Sequence, residues 1–142
     1  MMRSKKYPWL CANLDAVSET ENIGAEFKHA DSMKDWGESH SQDVPVNYYI
    51  QVQQQLLVSG LDVIYLYVRL PFADFRCYPI TSDKDIQAKI AEETCAFWEN
   101  NVKAGVAPEG KTVDSVKKLF PKVTDGEVEL SEDTLALAEQ HR

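Results

Sequence analysis

Apolar residues in the N-terminal part of the chain occur in two short runs that are typical of β-strands. The runs cover residues 8–18 and 24–30, and the polar segment "ETENIG" joins them. Asn22 and Gly24 suit a tight turn, because both residue types tolerate left-handed backbone conformations. The pattern therefore predicts a β-hairpin in which Asp15 and Glu26 face each other across the two strands.

A helical period follows in "VPVNYYIQVQQQLLVSG", after the polar loop Ser32–Asp43. Asp43, with Pro45 close behind it, is the predicted N-cap of this helix, and Gly60 is its predicted end. At helical spacing the segment has an apolar side and a second side that is mainly polar. The apolar side holds Val46, Tyr49, Ile50, Leu56 and Leu57, and the second side holds Tyr48, Gln51 and Gln55.

Two further strands and a long helix are predicted after Gly60. The segments "DVIYLYVRL" and "DFRCYPI" form a hairpin around Pro71 and Phe72, and "SDKDIQAKIAEETCAFWENNVKAG" forms a helix capped by Ser82 and ended by Gly105. The predicted order is β-β-α-β-β-α. We therefore expect an α/β fold with a central mixed sheet of about four strands, flanked by helices.

The composition changes at Val106, which divides the chain into a domain over residues 1–105 and an extension over residues 106–142. The extension begins with the linker "APEGKTVD", followed by a short helix "DSVKKLFP" and a final helix "SEDTLALAEQHR". Its basic cluster, Lys117, Lys118 and Lys122, is either a solvated helix face or a DNA contact.

Length and composition favour a single globular domain, since the chain has 142 residues of which 44% are hydrophobic. No apolar run approaches the roughly 18 to 20 residues of a membrane span, and "MMRSKKYPW" lacks the apolar part of a signal peptide, so we expect a cytoplasmic protein. The net charge of −8 argues against coating of nucleic acid by charge alone, so any DNA contact would be local. The three cysteines lack C-x-x-C spacing and indicate neither a disulfide framework nor a zinc site.

Asp15, Glu26 and Lys28 are the candidate chemical groups. Two carboxylates that converge from neighbouring strands can bind Mg²⁺, which prefers oxygen ligands, and a water on the metal becomes a nucleophile for phosphodiester hydrolysis. Lys28 is expected to point away from the pair unless the strand is twisted or bulged, in which case it could orient that water. Because D-x(10)-E-x-K arises often by chance, a solvated hairpin face remains the alternative.

Three segments follow one another along the chain, "ANLDAV", "GAEFKHA" and "VPVNYYIQVQQQLLVSG", with "YLYV" behind them. In order and spacing they resemble the nuclease core of phage lambda-type exonucleases, also called YqaJ-like viral recombinases. The resemblance spans about Trp9 to Gly105, and its most specific element is the Gln-rich helix, in which Gln53 is the second glutamine of the signature. It implies a restriction-endonuclease-like PD-(D/E)XK core, Mg²⁺ dependence with Mn²⁺ as a substitute, and 5′-to-3′ digestion of double-stranded DNA ends. It also implies a single-strand annealing protein as partner and a homo-oligomeric assembly.

Carried over residue by residue, the resemblance implies that Asp15 and Glu26 are metal ligands and that the Phe27 carbonyl completes the set. Lys28 would position or activate water, and Gln51 would reach the site from the helix. Two carboxylates that converge also repel each other without metal. Neutralising either one is therefore expected to leave the metal-free protein as stable as before, or slightly more stable.

Members of the family carry a helix with a further acidic residue before the core, whereas only "MMRSKKYP" precedes the first predicted strand here. The sequence therefore predicts a truncated member. Three functions stay open: a Mg²⁺-dependent exonuclease of phage recombination, a catalytically weak or silent fragment that acts as an assembly or partner-binding module, and a restriction-like endonuclease. Exonuclease and endonuclease cleavage use the same metal chemistry, so the motif does not separate them.

Overall fold

The computed structural model describes residues 1–108, of which Met1–Val106 form one compact unit. The described strands are β1 (Met2–Arg3), β2 (Cys11–Ala12), β3 (Ala16–Ser18), β4 (Ile23–His29), β5 (Val63–Arg69) and β6 (Phe75–Thr81). The described helices are α1 (Val46–Ser59) and α2 (Lys84–Phe97), with a 3₁₀ turn at Pro71–Ala73 and a π-helical segment at Trp98–Lys103. The helices predicted for the C-terminal extension, and its basic cluster, lie outside the described residues. The predicted division at residue 105 stays a prediction.

The main sheet has four strands in the order β3-β4-β5-β6. β4 and β5 are parallel, while β3 pairs with β4 and β5 pairs with β6 in antiparallel fashion. Parallel neighbours need a crossover connection, and α1 supplies it between β4 and β5. The predicted α/β class with a mixed four-stranded sheet is confirmed.

The start of the chain differs from the prediction, because residues 8–18 do not form one strand. They form the two short strands β2 and β3, and β2 pairs with β1 in a separate two-stranded sheet. Between them, the Asn13 carbonyl accepts a hydrogen bond from the Gln55 side chain, and the Asp15 carboxylate accepts one from the Phe27 N–H. These side-chain contacts take the place of ladder hydrogen bonds, so the strand is interrupted at the residues that precede β3.

The hairpin of β3 and β4 is present, with Ala16 opposite Ala25 and Asn22 in a left-handed conformation at a φ of 54°. Gly24, however, lies inside β4 rather than in the turn. A Cβ atom there would lie 2.6 Å from Leu14 Cδ2, so the missing side chain makes room for Leu14 against the sheet. Packing, rather than turn geometry, therefore explains this glycine.

Helix α1 begins later than predicted. Pro45 occupies the N-cap position and no side chain caps the helix, so the assignment of Asp43 as N-cap is wrong. The predicted end is confirmed, because Gly60 has a φ of +73° and its N–H donates to the Leu56 carbonyl. This left-handed C-cap is the conformation that glycine adopts at least cost.

The predicted apolar side of α1 matches the buried side only in part, since Leu56 is buried and Tyr49 and Leu57 pack against the core. Val46 is 71% exposed and Ile50 is 45% exposed, whereas Gln53 is fully buried and Gln55 is 3% exposed. The buried residues of α1 are Val52, Gln53, Gln55, Leu56 and Val58. Glutamines are tolerated inside because their amide groups form hydrogen bonds there, which removes most of the cost of burying a polar group.

Gln53 joins α1 to the link between β6 and α2. Its Nε2 donates to the Thr81 carbonyl at 2.8 Å, and its Oε1 accepts from the Asp83 N–H at 2.9 Å and from Gln87 Nε2 at 3.1 Å. Asp83, not the predicted Ser82, is the N-cap of α2, since its side chain accepts from the N–H groups of the first helical turn. Gln53, the second glutamine of the signature, therefore has a structural role: it holds α1 to the segment between β6 and α2.

The core lies between α1 and the face of the sheet that Glu26 shares with residues such as Leu66 and Tyr78. The opposite face carries aromatic side chains. Phe27 is 57% exposed and stacks on Tyr67 with ring centroids 5.5 Å apart. No helix within residues 1–108 has the length and apolar character needed to cross a membrane.

Candidate metal centre

Strand β4 places Glu26 and Lys28 on the same face of the sheet, because side chains two residues apart in a strand point the same way. Lys28 Nζ donates to Glu26 Oε1 at 2.6 Å, and the Lys28 side chain is only 21% exposed. The expectation that Lys28 points away is therefore wrong, and no bulge is needed to bring it in. The two-residue period of side chains in a β-strand is enough to bring Lys28 to Glu26.

Glu26 is 5% exposed, and its carboxylate receives two more hydrogen bonds from α1. Gln51 Nε2 donates to Oε1 at 2.8 Å, and Gln55 Nε2 donates to Oε2 at 2.8 Å. Residues four apart lie on one side of a helix, which explains why both glutamines reach the same group. Burial of a carboxylate is unfavourable unless it is paired and hydrogen-bonded, and here one ammonium and two amides meet that requirement.

Asp15 lies directly before β3, and continuing the register of Ala16 opposite Ala25 places it opposite Glu26. Its Oδ2 accepts the Phe27 N–H at 2.8 Å. The N–H and C=O of one strand residue point to the same edge, so the Phe27 carbonyl lies at the strand edge where Asp15 is held. The predicted ligand set therefore converges on one end of the pairing between β3 and β4.

A cleft of about 490 Å³ lies beside the two carboxylates. It is lined by Asp15, Glu26, Gln51 and Gln55 together with residues of β2 and further residues of α1. Of the residues singled out from the sequence, the structure brings Glu26, Lys28 and Gln51 into direct contact and places Asp15 on the same cleft. Their roles in metal binding and chemistry stay predictions.

The donor set fits a hard cation such as Mg²⁺. In the described part of the chain no cluster of three or more His, Cys, Asp or Glu side chains is present, so the available ligands are two carboxylates and a carbonyl. Mg²⁺ is commonly held by one or two carboxylates and keeps several waters. A carboxylate oxygen can accept two hydrogen bonds, and Glu26 Oε2 and Asp15 Oδ2 each receive one within residues 1–108. Each carboxylate therefore retains acceptor capacity.

Gln55 and Tyr48 belong to this site although the sequence did not assign them to it. Lys28 Nζ lies 5.8 Å from the centroid of the Tyr48 ring, within the range of a cation–π contact. The centroids of the Tyr48 and Trp36 rings are 5.3 Å apart, so Tyr48 contacts both the core and the lysine. The sequence did group Tyr48 and Gln55 with Gln51 on one side of the helix. It did not indicate that this side faces Glu26 and Lys28.

Replacing Glu26 by Gln should lower the free energy of unfolding of the metal-free protein by about 1 to 3 kcal/mol. The substitution leaves the Lys28 ammonium unpaired and removes charged acceptors from two amide donors. This expectation reverses the one drawn from carboxylate repulsion. Urea unfolding in EDTA measures it, and addition of Lys28→Met to the variant should recover part of the loss.

The matched control is Glu99→Gln, which removes the exposed pair between Glu99 and Lys103 on one helical segment. Exposed pairs contribute about 0 to 1 kcal/mol, so this control should unfold close to the parent. A Glu26→Gln variant that is as stable as the parent would show that repulsion, not pairing, dominates at the site.

Comparison with known proteins relates the N-terminal part of the chain to one family. Residues 1–62 match the YqaJ-like viral recombinase domain. Among solved structures, the crystal structure of SSO0001 is 19% identical with a TM-score of 0.43, and the alignment covers 59% of this chain and 38% of that chain. No curated protein matches the sequence significantly. The family resemblance of the motifs is thereby confirmed: the segment that contains Asp15, Glu26, Lys28 and Gln51 matches the YqaJ-like viral recombinase domain.

Proposed function

We propose that this protein is a Mg²⁺-dependent DNA nuclease of phage-type recombination that digests double-stranded DNA ends in the 5′-to-3′ direction, on a PD-(D/E)XK core. The observation that carries the proposal is the buried carboxylate of Glu26, which Lys28 and Gln51 contact within the segment that matches a viral recombinase domain. A merely solvated hairpin face, the alternative left open by the sequence, does not bury its carboxylate.

In the proposed mechanism Asp15, Glu26 and the Phe27 carbonyl hold Mg²⁺, with Mn²⁺ as a substitute. When bound, the ion supplies electrostatic activation of the scissile phosphate and of a water. Lys28 positions that water and offsets the charge that develops on the phosphate, since its ammonium already lies beside the ligand carboxylate. Gln51 keeps the Glu26 carboxylate in place through Oε1.

The charge of the chain supports a local, cation-assisted DNA contact. At a net charge of −8, the protein as a whole repels the phosphate backbone, and the carboxylates of Asp15 and Glu26 add to that repulsion at the site. A divalent cation and Lys28 would offset it there. We therefore expect the metal to strengthen DNA binding as well as cleavage. Double-stranded DNA, a single-strand annealing protein and further copies of this chain are the proposed partners.

Thermal unfolding with Mg²⁺ or Mn²⁺ tests the ligand assignment. Metal should raise the Tm of the parent, because it binds the folded state and relieves the repulsion between the carboxylates. Asp15→Asn should abolish that rise yet leave the metal-free Tm nearly unchanged, since the asparagine oxygen can still accept the Phe27 N–H. The control is Asp31→Asn, whose side chain is 98% exposed in the parent. An equal metal response in Asp15→Asn and Asp31→Asn would refute the assignment.

The function itself is tested with end-labelled linear and closed circular duplexes incubated with Mg²⁺. An exonuclease shortens the linear duplex alone, from its 5′ ends. Lys28→Ala should retain the metal-induced rise in Tm and lose cleavage by roughly 10² to 10⁴-fold, as expected for one electrostatic or acid-base group. Lys34→Ala serves as the control for loss of a positive charge elsewhere.

Cleavage of the circular duplex would instead select the endonuclease. A parent that binds metal and cuts neither duplex would select the silent assembly or partner-binding module. A Lys28→Ala variant within a few-fold of the parent would remove Lys28 from the chemical step.

A further inference from the structure

Gln55 connects the two segments that carry the carboxylates. Its Nε2 donates to the Asn13 carbonyl at 2.7 Å and to Glu26 Oε2 at 2.8 Å. Asn13 lies two residues before Asp15 in the irregular link between β2 and β3, whereas Glu26 lies in β4. One amide group on α1 therefore spans the gap between the link that leads to Asp15 and the strand that carries Glu26.

The orientation of this amide is determined by its partners. Both are oxygen acceptors, so the NH₂ group has to face them, and the reverse orientation would bring Oε1 against a carboxylate and a carbonyl. Oε1 is consequently left buried without a hydrogen-bond partner among the described residues. An unsatisfied buried oxygen is unfavourable. The side chain keeps this arrangement because its two donated hydrogen bonds offset that cost.

Two other glutamines of α1 that line the same cleft make different contacts. Gln51 donates to Glu26 and has no hydrogen bond to the link before β3 within the described residues. Gln54 donates to the Cys11 carbonyl at 3.3 Å and forms no hydrogen bond with either carboxylate within residues 1–108. Among the described residues, the Asp15 side chain is bonded to β4 through the Phe27 N–H. Gln55 is thus the side chain on α1 that holds both the link leading to Asp15 and the Glu26 carboxylate.

We propose that Gln55 is a positioning residue that sets the separation of the Asp15 and Glu26 carboxylates, and thereby the affinity of the site for a divalent cation. This inference rests on the proposed function, because it assumes that the two carboxylates share a metal. Partners that orient metal ligands typically contribute about 10 to 100-fold in metal affinity. The structure assigns that role to the residue that holds both ligand-bearing segments.

The test is a Mn²⁺ titration of the full chain, followed by electron paramagnetic resonance, on the parent, Gln55→Met and Gln54→Met. Methionine preserves the length of the side chain and removes the amide. Gln55→Met should weaken Mn²⁺ binding by about 10 to 100-fold and change the spectrum of the bound ion, because the ligands lose their spacing. Gln54→Met should bind within about threefold of the parent, since it leaves both carboxylate contacts intact.

A parent that binds no Mn²⁺ would overturn the proposed function together with this inference. A parent that binds, with Gln55→Met binding equally well or with Gln54→Met equally weakened, would overturn the inference alone. Nuclear magnetic resonance of the parent provides a measurement that does not depend on folding of a variant. The side-chain amide signals of Gln55 should shift on addition of Mg²⁺ by more than those of Gln54, and equal shifts would contradict the role.

Discussion

The buried carboxylate of Glu26 is the constraint on which the arrangement of this site depends. Because Glu26 is only 5% exposed, its carboxylate needs a positive partner and hydrogen-bond donors to offset the cost of burying a charge. β4 supplies Lys28, and α1 supplies Gln51 and Gln55. The helix is therefore held against the sheet by polar contacts to one anion as well as by apolar packing. The same contacts keep the anion at the cleft beside Asp15.

The elements that depend on local pattern could be predicted from the sequence, and those that depend on distant partners could not. The end of α1 at Gly60 and the hairpin of β5 and β6 follow from glycine and from strand patterning, which act within a few residues. The burial of two glutamines of α1 was missed because hydrophobicity assigns glutamine to the surface. The burial of Gln53 and Gln55 depends on backbone and side-chain groups of other segments that form hydrogen bonds with their amides.

The same distinction applies to the site. Lys28 was expected to point away from the carboxylates, although the alternation of side chains along β4 places it beside Glu26. The helical period correctly grouped Gln55 with Gln51. The hairpin pattern placed Asp15 opposite Glu26, as the register has it, but it did not predict that the strand is interrupted after β2, because that interruption depends on contacts with α1 and β4. The sequence therefore indicated which residues belong to the site more reliably than how they are held. The proposed metal chemistry uses both kinds of information, since ligand identity selects the cation and ligand spacing sets its affinity.

The most direct test of the central claim is the position of the metal itself. Crystals grown with Mn²⁺ should show an anomalous scattering peak within coordination distance of the Asp15 and Glu26 carboxylates and the Phe27 carbonyl, roughly 2 to 2.3 Å, with Gln51 and Gln55 still bonded to Glu26. Lys28 should remain beside the carboxylate, where it can act on a water. A peak elsewhere, or no peak while Glu26 remains bound only to its protein donors, would contradict the account.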